Sequence, residues 1–189
     1  MSNLIVIYDA CVLYQAPIRD LLLRLVLADL YRAKWTHDIH EEWINSLLKK
    51  RPDLTRAHLE KIRDKMDKHV RDCLVVGYKG LIKDLVLPDP EDRHVLAAAI
   101  RAGAQMIITF NLADFPSKTL LKYGVEAQHP DLFLRYLLDR FPSRVIDVIR
   151  ETRMSLKSPA KSAQEYLSIL ERQALPQTVK YLQDYIDLI

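Results

Sequence analysis

The sequence predicts an α/β protein, a parallel sheet covered by helices on both faces to make three layers, followed by an α-helical C-terminal extension. Three observations carry this reading. The runs Leu4-Ile5-Val6-Ile7-Tyr8 and Met106-Ile107-Ile108-Thr109 are continuously apolar and β-branched, as strands buried on both faces are. Helical patterns lie between such runs, as crossover connections of a parallel sheet require. Beyond about Pro130 only helical periodicity remains.

Taken in order, residues 3–8 read as the first strand. A long helix follows from about Pro17, with Ile18, Leu21, Leu22 and Leu25 on one stripe. Trp35-Thr36 reads as a brief strand. Helices are expected from about Asp38 to Lys49 and from Leu54 to Val70, parted by Pro52. Cys73-Leu74-Val75-Val76 reads as another strand, ended by Gly77. The loop Leu87-Pro88-Asp89-Pro90 leads into a helix over Glu91–Ala102, stopped by Gly103, and Ala104–Thr109 is an internal strand. Phe133, Tyr136 and Leu137 then mark one amphipathic helix, and Val145, Val148, Ile149 and Thr152 a second. Lys157-Ser158-Pro159-Ala160-Lys161 reads as a hinge, and Ser162 with Glu165 as a capping box. A last helix begins near Pro176. We divide the chain into a catalytic-type domain over 1–142 and a helical extension over 143–189.

With 189 residues, 49% hydrophobic and 28% charged, the chain has an ordinary globular composition and room for one full core. No apolar run reaches the roughly 20 residues of a membrane span, and no leader pattern precedes the first strand. A cytoplasmic location is therefore expected, with Cys11 and Cys73 as buried, reduced thiols. The net charge of +3 says little about partners. Lys49, Lys50, Arg51, Arg56, Lys61, Arg63, Lys65, Lys68 and Arg71, with only four acids among them, form either a solvated helix face or a phosphate-attracting surface.

Four acids at element boundaries concentrate the functional signal: Asp9, Glu42, Asp92 and Asp114. Loops beyond the carboxyl ends of parallel strands converge on one crevice, and carboxylates gathered there repel one another unless a hard cation neutralises them. Each acid also has a bland role. Asp9 is placed to cap the following helix, Asp92 to favour a helix dipole, and Asp114 to stabilise a turn with Asn111. Glu41 and Glu42 are adjacent, and periodicity does not choose between them. A haloacid-dehalogenase phosphotransferase wants a second Asp where Cys11 stands, and a receiver domain wants a strand-end Lys that Thr109-Phe110-Asn111 lacks. No glycine-rich nucleotide loop occurs, and His37 and His40 fit no zinc motif, so all six histidines are assigned to surfaces or loops.

In combination the segments are more specific. Strand-Asp9-Ala10-Cys11-Val12-Leu13-Tyr14, Ile39-His40-Glu41-Glu42-Trp43, Leu87-Pro88-Asp89-Pro90-Glu91-Asp92-Arg93-His94-Val95-Leu96-Ala97-Ala98-Ala99 and Ile107-Ile108-Thr109-Phe110-Asn111-Leu112-Ala113-Asp114-Phe115-Pro116 occur in that order. Over roughly residues 3–135 this resembles the PIN-domain family, in particular the VapC-like toxins of bacterial toxin–antitoxin pairs. The resemblance implies a PIN-like fold and a Mg²⁺- or Mn²⁺-dependent endoribonuclease that leaves a 5′-phosphate and a 3′-hydroxyl. Its catalytic acids would be Asp9, Glu42, Asp92 and Asp114, with Asp9, Asp92 and Asp114 as metal ligands. Thr109, Asn111 and Arg93 would contact water or phosphate. It further implies an RNA substrate, a cognate antitoxin and a homodimer. The family often has Asn where this chain has Cys11, which keeps open the alternative of a catalytically silent RNA- or protein-binding module on the same fold.

Overall fold

The computed structural model describes residues 4–189, so Asn3, the first residue of the expected strand, lies outside the described residues. Four parallel strands, β1 (Ile5–Tyr8), β2 (Arg32–Lys34), β3 (Met106–Ile108) and β4 (Glu126–Gln128), form one sheet in the order β2-β1-β3-β4. In β1, Val6, Ile7 and Tyr8 are all fully buried although successive side chains point to opposite faces. Both faces of the sheet are therefore covered, as the unbroken apolar run predicts.

Ten helices flank the sheet among the described residues. Of the first two, α2 (Ala16–Leu27) is the helix expected from about Pro17, while α1 (Ala10–Tyr14) before it was not expected, and Gln15, in an extended conformation, separates them. Next come α3 (His37–Lys50) and α4 (Arg56–His69), whose N-termini are capped by the hydroxyls of Thr36 and Thr55. A 3₁₀ turn over Pro90–Asp92 leads into α5 (Arg93–Ala102), which packs across β1 and β3 and ends at Gly103 in the left-handed region. The short α6 (Ser117–Leu120) precedes β4.

The segment Cys73–Val76 is not a strand. Leu74 makes one isolated parallel bridge to Trp35, and Gly77, at φ 73°, turns the chain away. The neighbouring strand ends at Lys34, so only Trp35 offers a backbone partner. Conversely, β4 was not expected, because Glu126-Ala127-Gln128 carries no apolar run. It is an edge strand bonded to β3 alone and needs none.

The rest is helical: α7 (Pro130–Arg140), α8 (Pro142–Ser155), α9 (Ala163–Arg172) and α10 (Pro176–Gln183). Ser162 and Glu165 form the expected reciprocal capping box. The turn before it, over Lys157–Ala160, stands where the hinge was expected. One device joins this layer to the sheet and a second ties its own helices together. Tyr8 and Tyr31 share a 2.6 Å hydroxyl contact beneath the sheet, and Tyr31 meets the Phe133 ring of α7 edge-on at 4.8 Å. Asp131, 2% exposed, accepts hydrogen bonds from the backbone amides of Gln177 (2.9 Å) and Thr178 (2.8 Å), pinning the start of α10 to α7.

Candidate active site

The strand order reverses beside β1: the chain passes from β1 to β2 on one side, then returns to β3 on the other. In open α/β sheets the crevice beyond the strand ends at such a reversal is where ligands bind. Asp9 follows β1 and Thr109 follows β3, so both stand at this crevice. The Asp9 amide donates to the Ile108 carbonyl (3.1 Å), extending the pairing by one bond and fixing the residue.

The bland role of Asp9 does not hold, since its side chain makes no capping bond. Instead its Oδ2 accepts from Thr109 Oγ1 at 2.6 Å and from Cys11 Sγ at 3.0 Å. The residue is 3% exposed, and burial raises its pKa despite those two donors, with the Glu42 charge adding to the rise. Cys11 is held in turn by the Phe110 amide, which donates to Sγ at 3.3 Å. Burial, then the Asp9 charge, pushes the thiol up to about 12, so it stays protonated and donates to the carboxylate. Cys11 thus supplies a donor to Asp9 from the position where the family often has Asn. The signal visible in the sequence was only the departure, not the bond.

Asp92 also starts a helix without capping it; Asp89 does that locally, accepting from the Glu91 amide at 2.8 Å. Burial, followed by the charges of Asp9, Asp114, Asp89 and Glu42, raises Asp92 to about 7. Asp114 ends the 3₁₀ turn Leu112–Asp114, where only its backbone amide is bonded, to the Asn111 carbonyl. Among the described residues neither the Asp92 nor the Asp114 carboxylate accepts a hydrogen bond or joins an ion pair. The structure therefore brings Asp9, Glu42, Asp92 and Asp114 into one electrostatic neighbourhood with no protein cation at its centre.

The two adjacent glutamates separate cleanly. Glu41 faces α4, bonded to Arg56 (3.0 Å) and near Arg63 (3.9 Å). Glu42 is the acid on the crevice side, with Oε2 3.4 Å from His94 Nε2. Of the further candidates, Thr109 is fully buried and bonds Asp9, while the exposed Asn111 donates its amide to Thr109 Oγ1 at 2.9 Å. Arg93 is not directed at the acids; its Nε donates to the Pro90 carbonyl at 2.8 Å.

The assignment of every histidine to a surface or loop is corrected by the structure. His40 is fully buried: its Nδ1 accepts from Trp43 Nε1 (3.0 Å) and its Nε2 lies 2.9 Å from Asp67. That pairing satisfies both ring nitrogens, which is how a histidine enters a core. His94 is mostly buried beside Glu42, a contact from α5 to α3 that no local motif announces.

The donor set is all carboxylate, the chemistry hard divalent ions prefer. Among the described residues no three His, Cys, Asp or Glu side chains are drawn tightly enough to enclose an ion as they stand. The set therefore fits a cation shared partly through water better than a closed protein cage, since Mg²⁺ keeps several waters.

The fold has relatives among known proteins. Residues 5–113 match the family model described as a PIN domain, and residues 130–184 match that of the VapC50 C-terminal domain. A curated relative from Mycobacterium tuberculosis (strain ATCC 25618 / H37Rv), named "Putative ribonuclease VapC50", is 48% identical over 59 residues, covering 31% of this chain. That match spans about a third (35%) of the relative's own length. No solved structure matches. The parallel sheet with its flanking helices is the PIN-like α/β fold expected from the motifs, and the PIN model spans more than half of the 189 residues. The chain belongs to the PIN-domain family.

Proposed function

We propose that this chain is a divalent-metal-dependent endoribonuclease acting as the toxin of a toxin–antitoxin pair. The observation that carries the reading is the convergence of Asp9, Glu42, Asp92 and Asp114; burial first, and then the charges of its neighbours, raise Asp92 to about 7. A structural ion-pair network would have matched those charges with Lys or Arg. Here they are left for a ligand, and an acidic crevice at a strand-order reversal suits a metal that binds phosphate.

In this reading Asp9, Asp92 and Asp114 hold Mg²⁺ or Mn²⁺, directly or through water. When bound, such an ion lowers the pKa of a water and stabilises charge on the scissile phosphate. Asp9 is the most rigid of the three, clamped by Thr109 and Cys11, whereas Asp92 and Asp114 are free to adjust. Exposed Glu42, steadied by His94, orients the attacking water. Asn111, at the crevice rim, contacts the substrate. Hydrolysis leaves a 5′-phosphate and a 3′-hydroxyl. A cognate antitoxin that blocks the crevice, a homodimer and a cytoplasmic setting belong to the same proposal. No helix among the described residues is long and apolar enough to cross a membrane.

The test is RNA cleavage by the purified full chain with Mg²⁺ or Mn²⁺, with and without chelator. Asp9→Asn and Asp92→Asn should each lose about 100-fold or more, the scale of removing a charge-stabilising group. Cleavage persisting in both variants would assign the activity to a contaminant. RNA binding without cleavage under either metal would make the chain a silent binding module instead.

A further inference from the structure

Beside the acids lies a cavity of about 430 Å³ that the reading above leaves unused. It runs between α1 and α3, which pack against each other, and its walls change character along their length. At one end are Cys11, Glu42 and Asn111, all belonging to the acidic crevice. At the other are Lys49 and Lys50 in the last turn of α3, both exposed. Between them stand the half-buried rings of Tyr14 and Phe110, and Phe110 is propped edge-on against His129 at 5.0 Å.

The α3 wall follows from helix periodicity. Glu42, Ser46 and Lys49 are spaced i, i+4, i+7 and so share a face, with Lys50 beside them. Lys49 lies about 10 Å along the helix from Glu42. Among the described residues neither lysine is paired with a carboxylate, whereas Arg51, Arg56 and Arg63 of the same basic region are neutralised by Asp53, Glu41 and Asp64. Lys50 Nζ sits 5.3 Å from the Tyr14 ring centre, so cation and aromatic face are presented together.

Aromatic faces flanked by unpaired cations are what single-stranded nucleic acid uses: bases stack, and the backbone follows the charge. The volume falls within the roughly 300–1,000 Å³ of small-ligand sites. We propose that this cavity is a nucleotide subsite, receiving one unpaired RNA base against Tyr14 and Phe110 while Lys49 and Lys50 hold the phosphate next to the scissile one. The subsite rests on the ribonuclease reading and refines it by assigning the residues that seat the nucleotide beside the cut.

The test is fluorescence anisotropy with a labelled single-stranded oligoribonucleotide and its duplex, using the full chain in an Asp92→Asn background with chelator. Single strands should bind more tightly than duplex. Tyr14→Ala should weaken binding about 5- to 100-fold, and Tyr14→Phe should retain it. Lys49→Ala with Lys50→Ala should reduce the log–log salt slope by about 0.7, the value for one phosphate of a single strand. Both lysines are exposed, so circular dichroism should show an unchanged fold. Affinity and salt slope unchanged in these variants would overturn the subsite. If the parent chain still cleaves RNA in a metal-dependent way, the ribonuclease reading survives that result. Binding that depends on Tyr14 and the lysines, in a chain showing no metal-dependent cleavage, would keep the subsite and remove the ribonuclease. A chain that neither binds nor cuts RNA loses both.

Discussion

Replacing Asp92 by Asn should abolish cleavage and yet stabilise the metal-free protein. The carboxyl is raised from 3.8 to about 7, first by burial and then by the charges of Asp9, Asp114, Asp89 and Glu42. At 1.36 kcal/mol per pH unit that difference corresponds to about 4 kcal/mol. Asp92 is only half-buried, and solvent screening leaves about 1–2 kcal/mol. Because the folded pKa lies above the unfolded one, the penalty is absent below about pH 4, grows up to about pH 7 and is complete above it. Asn carries no charge and escapes it. In chelator at pH 8 the variant should therefore unfold about 2–8 °C higher than the parent, using about 2–4 °C per kcal/mol for a domain of this size. At about pH 4.5 the two curves should converge. The comparison is between variant and parent at each pH, so the titration of His40, common to both, cancels, while relief of the Asp9 charge by loss of its neighbour adds to the same stabilisation. A variant no more stable at pH 8, or a difference that stays flat from pH 4.5 to 8, would show that no clustered charge opposes Asp92. The electrostatic argument for the site would then fail.

Three other outcomes follow from the same contacts. Saturating Mn²⁺ should raise the melting temperature of the parent at pH 8, by the equivalent of about 2.7 kcal/mol at a hundredfold excess over Kd, and much less in Asp92→Asn; an equal rise in both would locate the ion elsewhere. Asp131→Ala should cost about 2–4 kcal/mol in urea unfolding, since the buried Thr178 amide and the part-buried Gln177 amide at the start of α10 lose their shared acceptor, while leaving the Mn²⁺ response intact. His40→Ala should cost a similar amount at pH 7.5 because Trp43 Nε1 and Asp67 lose their shared partner. Burial lowers the His40 pKa below its ordinary 6.5, so its neutral form is the folded one and its contribution fades as pH falls through that lowered value. The cost of His40→Ala, followed by denaturant titration, should accordingly shrink toward pH 5.

The parts of this fold that were legible are those whose signal is local. The strands β1 and β3 announced themselves because burial on both faces demands an unbroken apolar run, and the helix start at Ser162 because a capping box needs particular side chains. The misses lie where a distant partner decides. Cys73–Val76 has a strand's composition but finds only Trp35 to pair with, and Glu126–Gln128 lacks it but finds all of β3. The acids were legible as residues at element ends. That Asp9 and Asp92 do not cap their helices was not, since a capping and a non-capping Asp read identically in one dimension.

Helix α3 shows how close the sequence came and what it lacked. Three consecutive residues leave it in three directions: His40 into the core toward Asp67, Glu41 to the arginines of α4, and Glu42 to the crevice. The apolar residues Ile39, Trp43 and Leu47 give the helix phase but leave both glutamates flanking the buried stripe, so periodicity alone had to leave them undecided. What settles the choice is the position of α4, whose Arg56 and Arg63 draw Glu41 away. The same phase carries Ser46, Lys49 and Lys50 into the cavity behind Glu42. Because Trp43 is tied to His40, and His40 to Asp67 of α4, one buried hydrogen-bonded chain sets the rotation of the whole helix. Glu42 at the acids and the lysines at the far end of the cavity are thereby oriented together. A substitution at His40 should for that reason disturb cleavage and RNA affinity at once, although the residue touches neither.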